Sequence, residues 1–180
     1  MATSGDFSWP PAGTSTGHQW ILSHGHGQSI ALWANSSHEE RANISELANF
    51  LDLHQDVPLV TWNGNSADIP KLRKVAQDHG LSDTLRIDSR LHVDLYLWVK
   101  RNIRLPIPDL SIKAVGEYFG FPRVSAGMDG LQAVGLYLEY CASHDQRIKD
   151  RLCDYNRDDV DSLIHVSTKL QELSSRLDHG

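Results

Sequence analysis

Tyr155 and Asp159 are the two residues whose types and spacing most suggest chemistry. They stand four apart in a stretch from 144 to 178 that contains neither glycine nor proline, so the sequence predicts that they share one helical face. The carboxylate could hold a hard cation, and the phenol could position water beside it. A tyrosine and an aspartate at this spacing can equally form an ordinary solvated face, and this stretch alone leaves both interpretations open.

Two further acids lie near the ends of predicted elements. Asp6 stands near a possible first strand, and Asp68 begins a predicted helix just after a predicted strand. Together with Asp159 they could converge on one or two divalent cations, which would stabilise the attacking and leaving oxygens of a phosphodiester displacement. Other roles remain open: Asp68 could cap its helix, Asp6 could be a surface acid, and Asp154 or Asp158 could take the place of Asp159.

The elements that must position these residues alternate between strands and helices before ending in helices alone. The predicted strands are residues 19–24, 29–34, 58–62 and 91–95, and the predicted helices are 37–54, 68–79, 95–102, 112–119, 131–141 and 144–176. The first two strands form a hairpin, and the later ones are joined by crossovers. The pattern predicts an α/β fold, a mixed sheet flanked by helices, in one domain over residues 1–180 with an irregular segment at 1–18.

The charge of the chain is unevenly spread. The 180 residues carry a net charge of −6, yet residues 70–123 hold ten of the 17 basic residues and six of the 23 acidic ones. A basic middle section beside acidic clusters suits a site that holds cations and receives a phosphate backbone. Ordinary surface scatter of charge is the alternative.

The cysteines and the lengths of the apolar runs bear on the cellular compartment of the protein. Cys141 and Cys153 are the two cysteines, and they lie in predicted helices without metal-ligand spacing, which favours buried thiols in a reducing compartment. No apolar run approaches the roughly 20 residues of a membrane span, and the start of the sequence lacks the pattern of a signal peptide. We expect a cytoplasmic protein without a membrane partner.

Four stretches follow one another in an order that resembles a known family. They are Trp62-Asn63-Gly64-Asn65-Ser66-Ala67-Asp68-Ile69-Pro70-Lys71-Leu72, His92-Val93-Asp94-Leu95, Ser111-Ile112-Lys113 and Tyr155-Asn156-Arg157-Asp158-Asp159-Val160. Together they resemble the ribonuclease H-like 3′–5′ exonuclease superfamily with four acidic metal ligands, in its tyrosine (DEDDy) branch. More narrowly, they resemble the exonuclease-like domain often found beside RecB-type nuclease modules. An interaction domain unrelated to nucleic acid would leave this order as coincidence.

The resemblance implies a ribonuclease H-like mixed sheet flanked by helices, and two-metal hydrolysis of DNA or RNA from a 3′ end with Mg²⁺ or Mn²⁺. It assigns Asp68 and Asp159 as metal ligands and Tyr155 as the residue that positions water, and it leaves the role of Asp94 open. The partner would be nucleic acid, most simply a single-stranded 3′ end. Predicted nucleic-acid contacts are Asn63, Lys71, Lys113 and Arg104, although a solvated helix face is the alternative for the basic residues outside the motifs.

The sequence departs from the family pattern in its first motif. The family has Asp-x-Glu at the end of an apolar strand, whereas the candidate here is Asp6-Phe7-Ser8. Asp6 would then be the first-motif metal ligand, and Ser8 stands where the glutamate is expected. Ala67 also replaces a phenylalanine of the second motif. A missing carboxylate weakens the second metal site, so the alternative function is a degenerate domain that binds nucleic acid without cutting it.

Overall fold

The computed structural model describes residues 19–24, 28–89, 91–125 and 127–177. Its strands are β1 (Gln19–His24), β2 (Gln28–Trp33), β3 (Leu59–Thr61) and β4 (His92–Asp94). Its helices are α1 (Ser37–Leu53), α2 (Asp68–Asp78), α3 (Ser82–Leu85), α4 (Leu95–Asn102), α5 (Ile112–Tyr118), α6 (Gly130–Ser143) and α7 (Gln146–Leu177), with a 3₁₀ turn at Ile87–Ser89. The mixed α/β composition and most predicted elements are confirmed. Helix α3 and the 3₁₀ turn were not predicted, because segments this short show no hydrophobic periodicity.

The chain divides into two compact units. The first, called the sheet unit, comprises residues 19–20 and Leu32–Arg104. The second, called the helical unit, comprises the described residues of 21–31 and those from 105 to 177. Each unit is described by itself below.

The described strands form two separate two-stranded sheets, β1 with β2 and β3 with β4. Strands β3 and β4 are parallel, and Thr61 lies opposite Asp94 at their carboxyl ends. The predicted crossover between these two strands is therefore confirmed. The described part of the chain does not show β2 joining them in one mixed sheet.

The helices of the sheet unit are amphipathic and pack on one another. Ser36 begins α1 by accepting a hydrogen bond from the Glu39 amide at 3.2 Å. Helices α1, α2 and α3 are in mutual contact, and α4 packs on β3. Their buried side chains include Ile44, Leu47, Leu72, Val75, Leu85 and Val99. Because α2 follows β3 and α4 follows β4, the carboxyl ends of both strands lead into helix starts.

Helix α7 is the longest element and organises the helical unit, where both α5 and α6 pack against it. The buried residues along α7 recur every three or four positions, which is the spacing of one helical face. They are Ile148, Leu152, Tyr155, Asp158, Ser162, Val166 and Leu170. Two polar groups and a tyrosine therefore lie on the face that α7 buries.

Two expectations about the chain as a whole can be compared with the structure. The cysteines are free, but Cys141 is exposed and Cys153 is only partly buried. The prediction of two buried thiols was therefore wrong, because Cys141 lies on the outer side of α6, whose inward side holds Tyr137 and Tyr140. Within the described ranges, no helix has the length and apolar character needed to cross a membrane.

Candidate active site

Tyr155 is the centre of the candidate site in the helical unit. Only 8% of the residue is exposed, so it is part of the buried face of α7 and not of a solvated one. Asp159 follows one turn later and keeps a third of its side chain exposed. The pair predicted from spacing alone therefore consists of a buried phenol and a carboxylate that solvent can reach.

Lys113 of α5 reaches the tyrosine hydroxyl. Its Nζ lies 2.5 Å from Tyr155 Oη, to which it donates, and it also donates to the Met128 carbonyl at 3.2 Å. The same ammonium lies 4.2 Å from the centre of the tyrosine ring. Burial lowers the pKa of Lys113, and the nearby Asp159 carboxylate opposes that shift. Lys113 therefore uses two of its three N–H donors in hydrogen bonds within the protein.

Lys113 is positioned by a well-formed start of α5. Ser111 is the N-cap, and its hydroxyl accepts from the Ala114 amide at 3.2 Å. Asp109 accepts from the Ser111 amide at 2.9 Å and from the Ser111 hydroxyl at 2.6 Å. This arrangement satisfies donors at the first turn and fixes the residue two positions into the helix.

A close approach between α5 and α7 holds the lysine against the tyrosine. A Cβ atom at Gly116 would overlap the Ser162 hydroxyl, so glycine at this position leaves room for the Ser162 side chain against α5. Ser162 is fully buried and donates to the Ile112 carbonyl at 3.2 Å. The His165 ring lies 2.9 Å from the Phe119 carbonyl at the end of α5. These contacts fix the position of α5 along the axis of α7.

Asp158 and Asp159 have different surroundings although they are neighbours. Asp158 keeps 6% of its side chain exposed and accepts from the Val124 amide at 3.2 Å and the Ser125 amide at 2.6 Å, as well as from the Ser125 hydroxyl. Burial alone would raise the pKa of Asp158, but these hydrogen bonds and Arg123 together lower it. Asp158 therefore anchors the loop that follows α5.

Asp159 pairs with one cation instead. Arg123 Nη2 donates to Asp159 Oδ1 at 2.9 Å, while its Nε lies 3.9 Å from Asp158. Burial raises the pKa of Asp159, and the Arg123 and Lys113 charges only partly offset that effect. Arg123 Nη1 is buried and meets no hydrogen-bond partner within the described ranges. Asp159 is thus a partly buried carboxylate whose charge Arg123 and Lys113 do not fully compensate, so a further cation would stabilise it.

The tyrosine hydroxyl is held in its neutral form. Burial raises the pKa of Tyr155 to about 12, and the Asp159 carboxylate adds to the rise. With Lys113 donating to its oxygen, the phenol keeps its own proton to donate to another group. The helical unit therefore brings a proton donor, an ammonium and a carboxylate together.

The sheet unit contains a second group of predicted residues, around the loop between β3 and α2. Asp94 is 8% exposed, and its Oδ1 accepts from the Asn63 amide at 3.0 Å and its Oδ2 from the Asn65 amide at 3.1 Å. It is also the N-cap of α4. Asp94 therefore fixes this loop to the start of α4, a structural role that the sequence left open.

The remaining predicted residues of this unit follow that loop or lie at its edge. Asn63 has a positive φ of 58°, and the neighbouring Gly64 has no room for a Cβ beside Thr61. Asp68 is the first residue of α2 and is exposed, with Lys71 one turn further on. Arg104 is exposed at the end of the unit.

The three predicted metal ligands do not all belong to one described unit. Asp159 belongs to the helical unit and Asp68 to the sheet unit, while Asp6 lies outside the described residues. Among the described residues, no group of three or more histidine, cysteine, aspartate or glutamate side chains forms a metal cluster. The donors themselves, carboxylate oxygens, are the type that Mg²⁺ and Mn²⁺ prefer.

Sequence reasoning missed Arg123, and it named Asp158 only as a substitute for Asp159 and not as the residue that anchors the loop after α5. Arg123 had been counted only as part of the basic middle section, and its loop carries no periodic signal that would have placed it beside Asp159. Asp158 was a foreseeable buried residue, since it lies three positions after Tyr155 and four before Ser162 on one helical face.

A comparison with protein-family models finds one match that covers most of the chain. The model RNase_H_2, of the RNase H superfamily, matches residues 13–171. The chain belongs to this family. Comparisons with curated proteins and with solved structures gave no significant match.

Membership of the RNase H superfamily spans nearly the whole chain, including both groups of residues described above. It indicates a nuclease-like function in nucleic-acid metabolism. It is consistent with divalent-metal chemistry, which is typical of such nucleases. For this RNase H superfamily member, the Tyr155 group and the Asp94-anchored loop are the two places where that chemistry would be sought.

Proposed function

We propose that this protein is a divalent-metal-dependent 3′–5′ exonuclease of the tyrosine subtype that hydrolyses phosphodiester bonds of DNA or RNA. The observation that carries the proposal is the buried Tyr155 hydroxyl, which Lys113 holds at 2.5 Å one turn from Asp159. The order of the four sequence stretches supports the same subtype, and with it a kinship to the exonuclease-like domains beside RecB-type nucleases.

Tyr155 would act as a hydrogen-bond donor and not as a base. Its pKa of about 12 keeps the phenol protonated at neutral pH, so it cannot take a proton from water efficiently. Lys113 occupies one lone pair of the hydroxyl oxygen and fixes its direction. The phenolic proton is then directed at the attacking water or at an oxygen of the scissile phosphate, and the contribution is one of orientation.

Asp68 in the sheet unit and Asp159 in the helical unit are the carboxylates proposed as ligands of divalent cations, Mg²⁺ or Mn²⁺, and Asp6 is proposed as a further ligand. The fit rests on donor chemistry: Asp159 is a partly buried carboxylate whose raised pKa reflects an incompletely compensated charge. When bound, a divalent cation supplies charge neutralisation for the phosphate and, as a pair, for both the attacking and leaving oxygens. Arg123 retains a buried N–H without a partner among the described residues, which suits an additional phosphate oxygen.

A catalytically degenerate nucleic-acid-binding domain is the second candidate. Ser8 stands where a metal-binding glutamate is expected, and a hydroxyl is a weaker ligand than a carboxylate for a hard cation. In addition, Arg123 donates to Asp159 at 2.9 Å and so competes with a cation for this carboxylate. Both observations favour a protein that keeps the fold and the binding surface but lacks hydrolysis.

Labelled substrates separate the two candidates. Single-stranded DNA and RNA labelled at either end are incubated with Mg²⁺ or Mn²⁺, and shortening from the 3′ end is expected. Asp159→Asn should abolish shortening, and Tyr155→Phe should slow it by about 100-fold or more with unchanged affinity for the strand. Asp161→Asn is the matched control, because Asp161 is an exposed acid on the same helix, and it should cleave normally.

The outcome also decides between the proposals. Strand binding without shortening at any metal concentration would favour the degenerate domain. Shortening that survives both Asp68→Asn and Asp159→Asn would remove the assignment of these carboxylates as ligands.

A further inference from the structure

Helix α6 is apolar on two opposite sides. It packs against α7, and its inward side holds the buried residues Ala133, Tyr137 and Tyr140. The opposite side is a stripe of exposed residues at helical spacing: Leu131, Gly135, Leu138 and Ala142. We call these four residues the α6 face. A helix that is apolar on all sides is normally a buried one, so we expect another surface to cover the α6 face.

The neighbouring helix shows what an ordinary exposed side looks like in this protein. Along α7, the exposed positions include Arg147, Asp150, Arg151, Arg157 and Asp161. Helix α6, in contrast, has one charged residue among its 14, Glu139, which lies beside the α6 face. On the α6 face itself, Leu131 is 81% exposed and Leu138 is 54% exposed. Contiguous exposed apolar residues of this kind mark interaction sites.

Gly135, at the middle of the α6 face, shows that this side of the helix is open. A Cβ atom at Gly135 would meet no atom within 4 Å, and the residue lies inside the helix. Neither a turn nor packing within the chain therefore requires glycine here, although glycine destabilises a helix interior relative to alanine. A surface that approaches α6 from outside would use the space that the missing side chain leaves.

The α6 face is complementary in size to a second copy of itself. When two such helices lie antiparallel about a twofold axis, Leu131 of one copy is opposite Ala142 of the second copy, and Leu138 is opposite Gly135. Each leucine then meets a small residue, which is the alternation that lets packed layers interdigitate. The twofold axis makes every such contact twice. A parallel pair would instead place leucine against leucine and glycine against glycine.

Charge and size also favour a second copy, and they indicate a weak dimer. The chain carries a net charge of −6, so two copies repel each other, but the uncharged α6 face adds nothing to that repulsion. A basic or a polyanionic partner would find no complementary charge on it. The 14 residues of α6 span about 21 Å with a width of about 10 Å, so two faces bury less than the roughly 1,200 Å² of a stable complex.

We propose that the α6 face is the interface of a weak, reversible, antiparallel homodimer of this chain. The inference is independent of the proposed function, because the α6 face contains no residue of the candidate active site.

Self-association is measured by sedimentation equilibrium at protein concentrations on the order of 1 µM to 1 mM. The apparent mass of the parent protein should rise from that of one chain towards that of two. Leu131→Lys should weaken the association by about 10-fold or more, since it removes an apolar contact twice in each dimer and buries a charge. Leu53→Lys is the matched control: Leu53 is 82% exposed on α1, the change of charge is the same, and association should stay as in the parent protein.

An exchange of large and small residues tests the packing. Gly135→Leu should weaken the dimer because the new side chain fills the space proposed for Leu138 of the second copy. The open surroundings of Gly135 should leave the fold of the chain intact, which thermal unfolding checks. Adding Leu138→Ala reverses the positions of the large and small residues, so it should restore most of the lost affinity.

Disulfide formation tests the antiparallel orientation. In a background with Cys141→Ser and Cys153→Ser, the variants Leu131→Cys and Ala142→Cys are purified separately and then mixed under oxidising conditions. A cross-linked dimer should form only in the mixture. Within a dimer of either variant alone, the two cysteines would lie roughly 16 Å apart along the helices, beyond the limit of about 7 Å between Cα atoms of a disulfide.

Four results would overturn the inference. A protein that stays monomeric at every concentration and forms no mixed disulfide would leave the α6 face to a different partner. Equal loss of association in Leu53→Lys would place the interface elsewhere, and cross-linking of each cysteine variant by itself would show a parallel pair. Slow reaction of the Leu131→Cys variant with a maleimide in dilute solution would show that the chain itself covers the α6 face.

Discussion

Replacing Asp158 and Asp159 one at a time by alanine should produce opposite defects. Asp158 accepts hydrogen bonds from two amides and a hydroxyl and keeps only 6% of its side chain exposed. A hydrogen bond to a charged acceptor contributes about 1.5–3 kcal/mol, and three that share one acceptor are not additive. We expect Asp158→Ala to lower the free energy of unfolding by about 3 kcal/mol, which is roughly 6–12 °C in Tm for a chain of this size.

Asp159→Ala should leave stability nearly unchanged. A third of its side chain is exposed, so solvent screens its pair with Arg123, and such pairs contribute about 1 kcal/mol or less. The raised pKa of Asp159 also means that its ionised form is disfavoured in the folded state. Activity, in contrast, should be lost with Asp159→Ala, while Asp158→Ala should retain activity at temperatures where it is folded.

The pH dependence provides an independent check with a definite sign. The pKa of Asp158 is below its ordinary value of 3.8, so the stabilisation is complete above that value and is lost as the pH falls through the folded-state pKa. The pKa of Asp159 is above 3.8, so its ionisation costs stability above the folded-state pKa and this cost disappears as the pH falls towards 3.8.

Urea unfolding followed by circular dichroism, at neutral pH and at successively lower pH, measures these differences. The gap in stability between the parent protein and Asp158→Ala should narrow at acidic pH. Equal destabilisation by the two substitutions at neutral pH, or a larger effect at Asp159, would refute the division of roles between the two carboxylates.

Two further substitutions test the contacts that hold the site. Gly116→Ala should destabilise the protein by about 1–3 kcal/mol because the new Cβ overlaps the Ser162 hydroxyl. Adding Ser162→Ala should restore part of the lost stability, as measured by thermal unfolding. If the second substitution restores none of it, the clash is not the cause. Asp94→Ala should cost about 2–3 kcal/mol because the cap of α4 and two loop amides lose their acceptor, whereas the exposed Asp83 should tolerate alanine in the same assay. A loop that stayed protected from hydrogen exchange in Asp94→Ala would contradict this role.

Most of the secondary structure could be predicted because its signals are local. Capping residues and punctuating glycines locate helix ends. Helices α1 and α5 begin at the predicted residues 37 and 112, directly after the N-caps Ser36 and Ser111, and α5 ends shortly before Gly120. The pairing of β3 with β4 followed from the crossover rule. One mixed sheet could not be established in the same way, because strand partners depend on contacts between distant segments, and the candidate first strand at Asp6 lies outside the described residues.

The site was predictable only where helical spacing applies. Tyr155 and Asp159 follow from a repeat of four on α7. Lys113 was expected only from the family resemblance, as a nucleic-acid contact, and its contact with Tyr155 was not predicted. Arg123 could not be found in this way, since its contact with Asp159 spans 36 residues and depends on the path of an irregular loop. Asp94 shows a limit of motif matching. Its sequence context resembles that of a site residue, whereas its contacts show that it fixes a loop and caps a helix.

The anchoring of the Asn63 loop by Asp94 has a consequence for the order of folding. The two residues are 31 apart in sequence, and the parallel pairing of β3 with β4 must close the intervening chain before this carboxylate can reach the loop amides. Contacts that require such closure cost chain entropy before they give stability, and they tend to form late. During synthesis, the loop that precedes Asp68 cannot take its final form until β4 has been made. The segment proposed to bind metal would thus be one of the last parts of the sheet unit to become ordered, which delays any nuclease activity until the surrounding fold is in place.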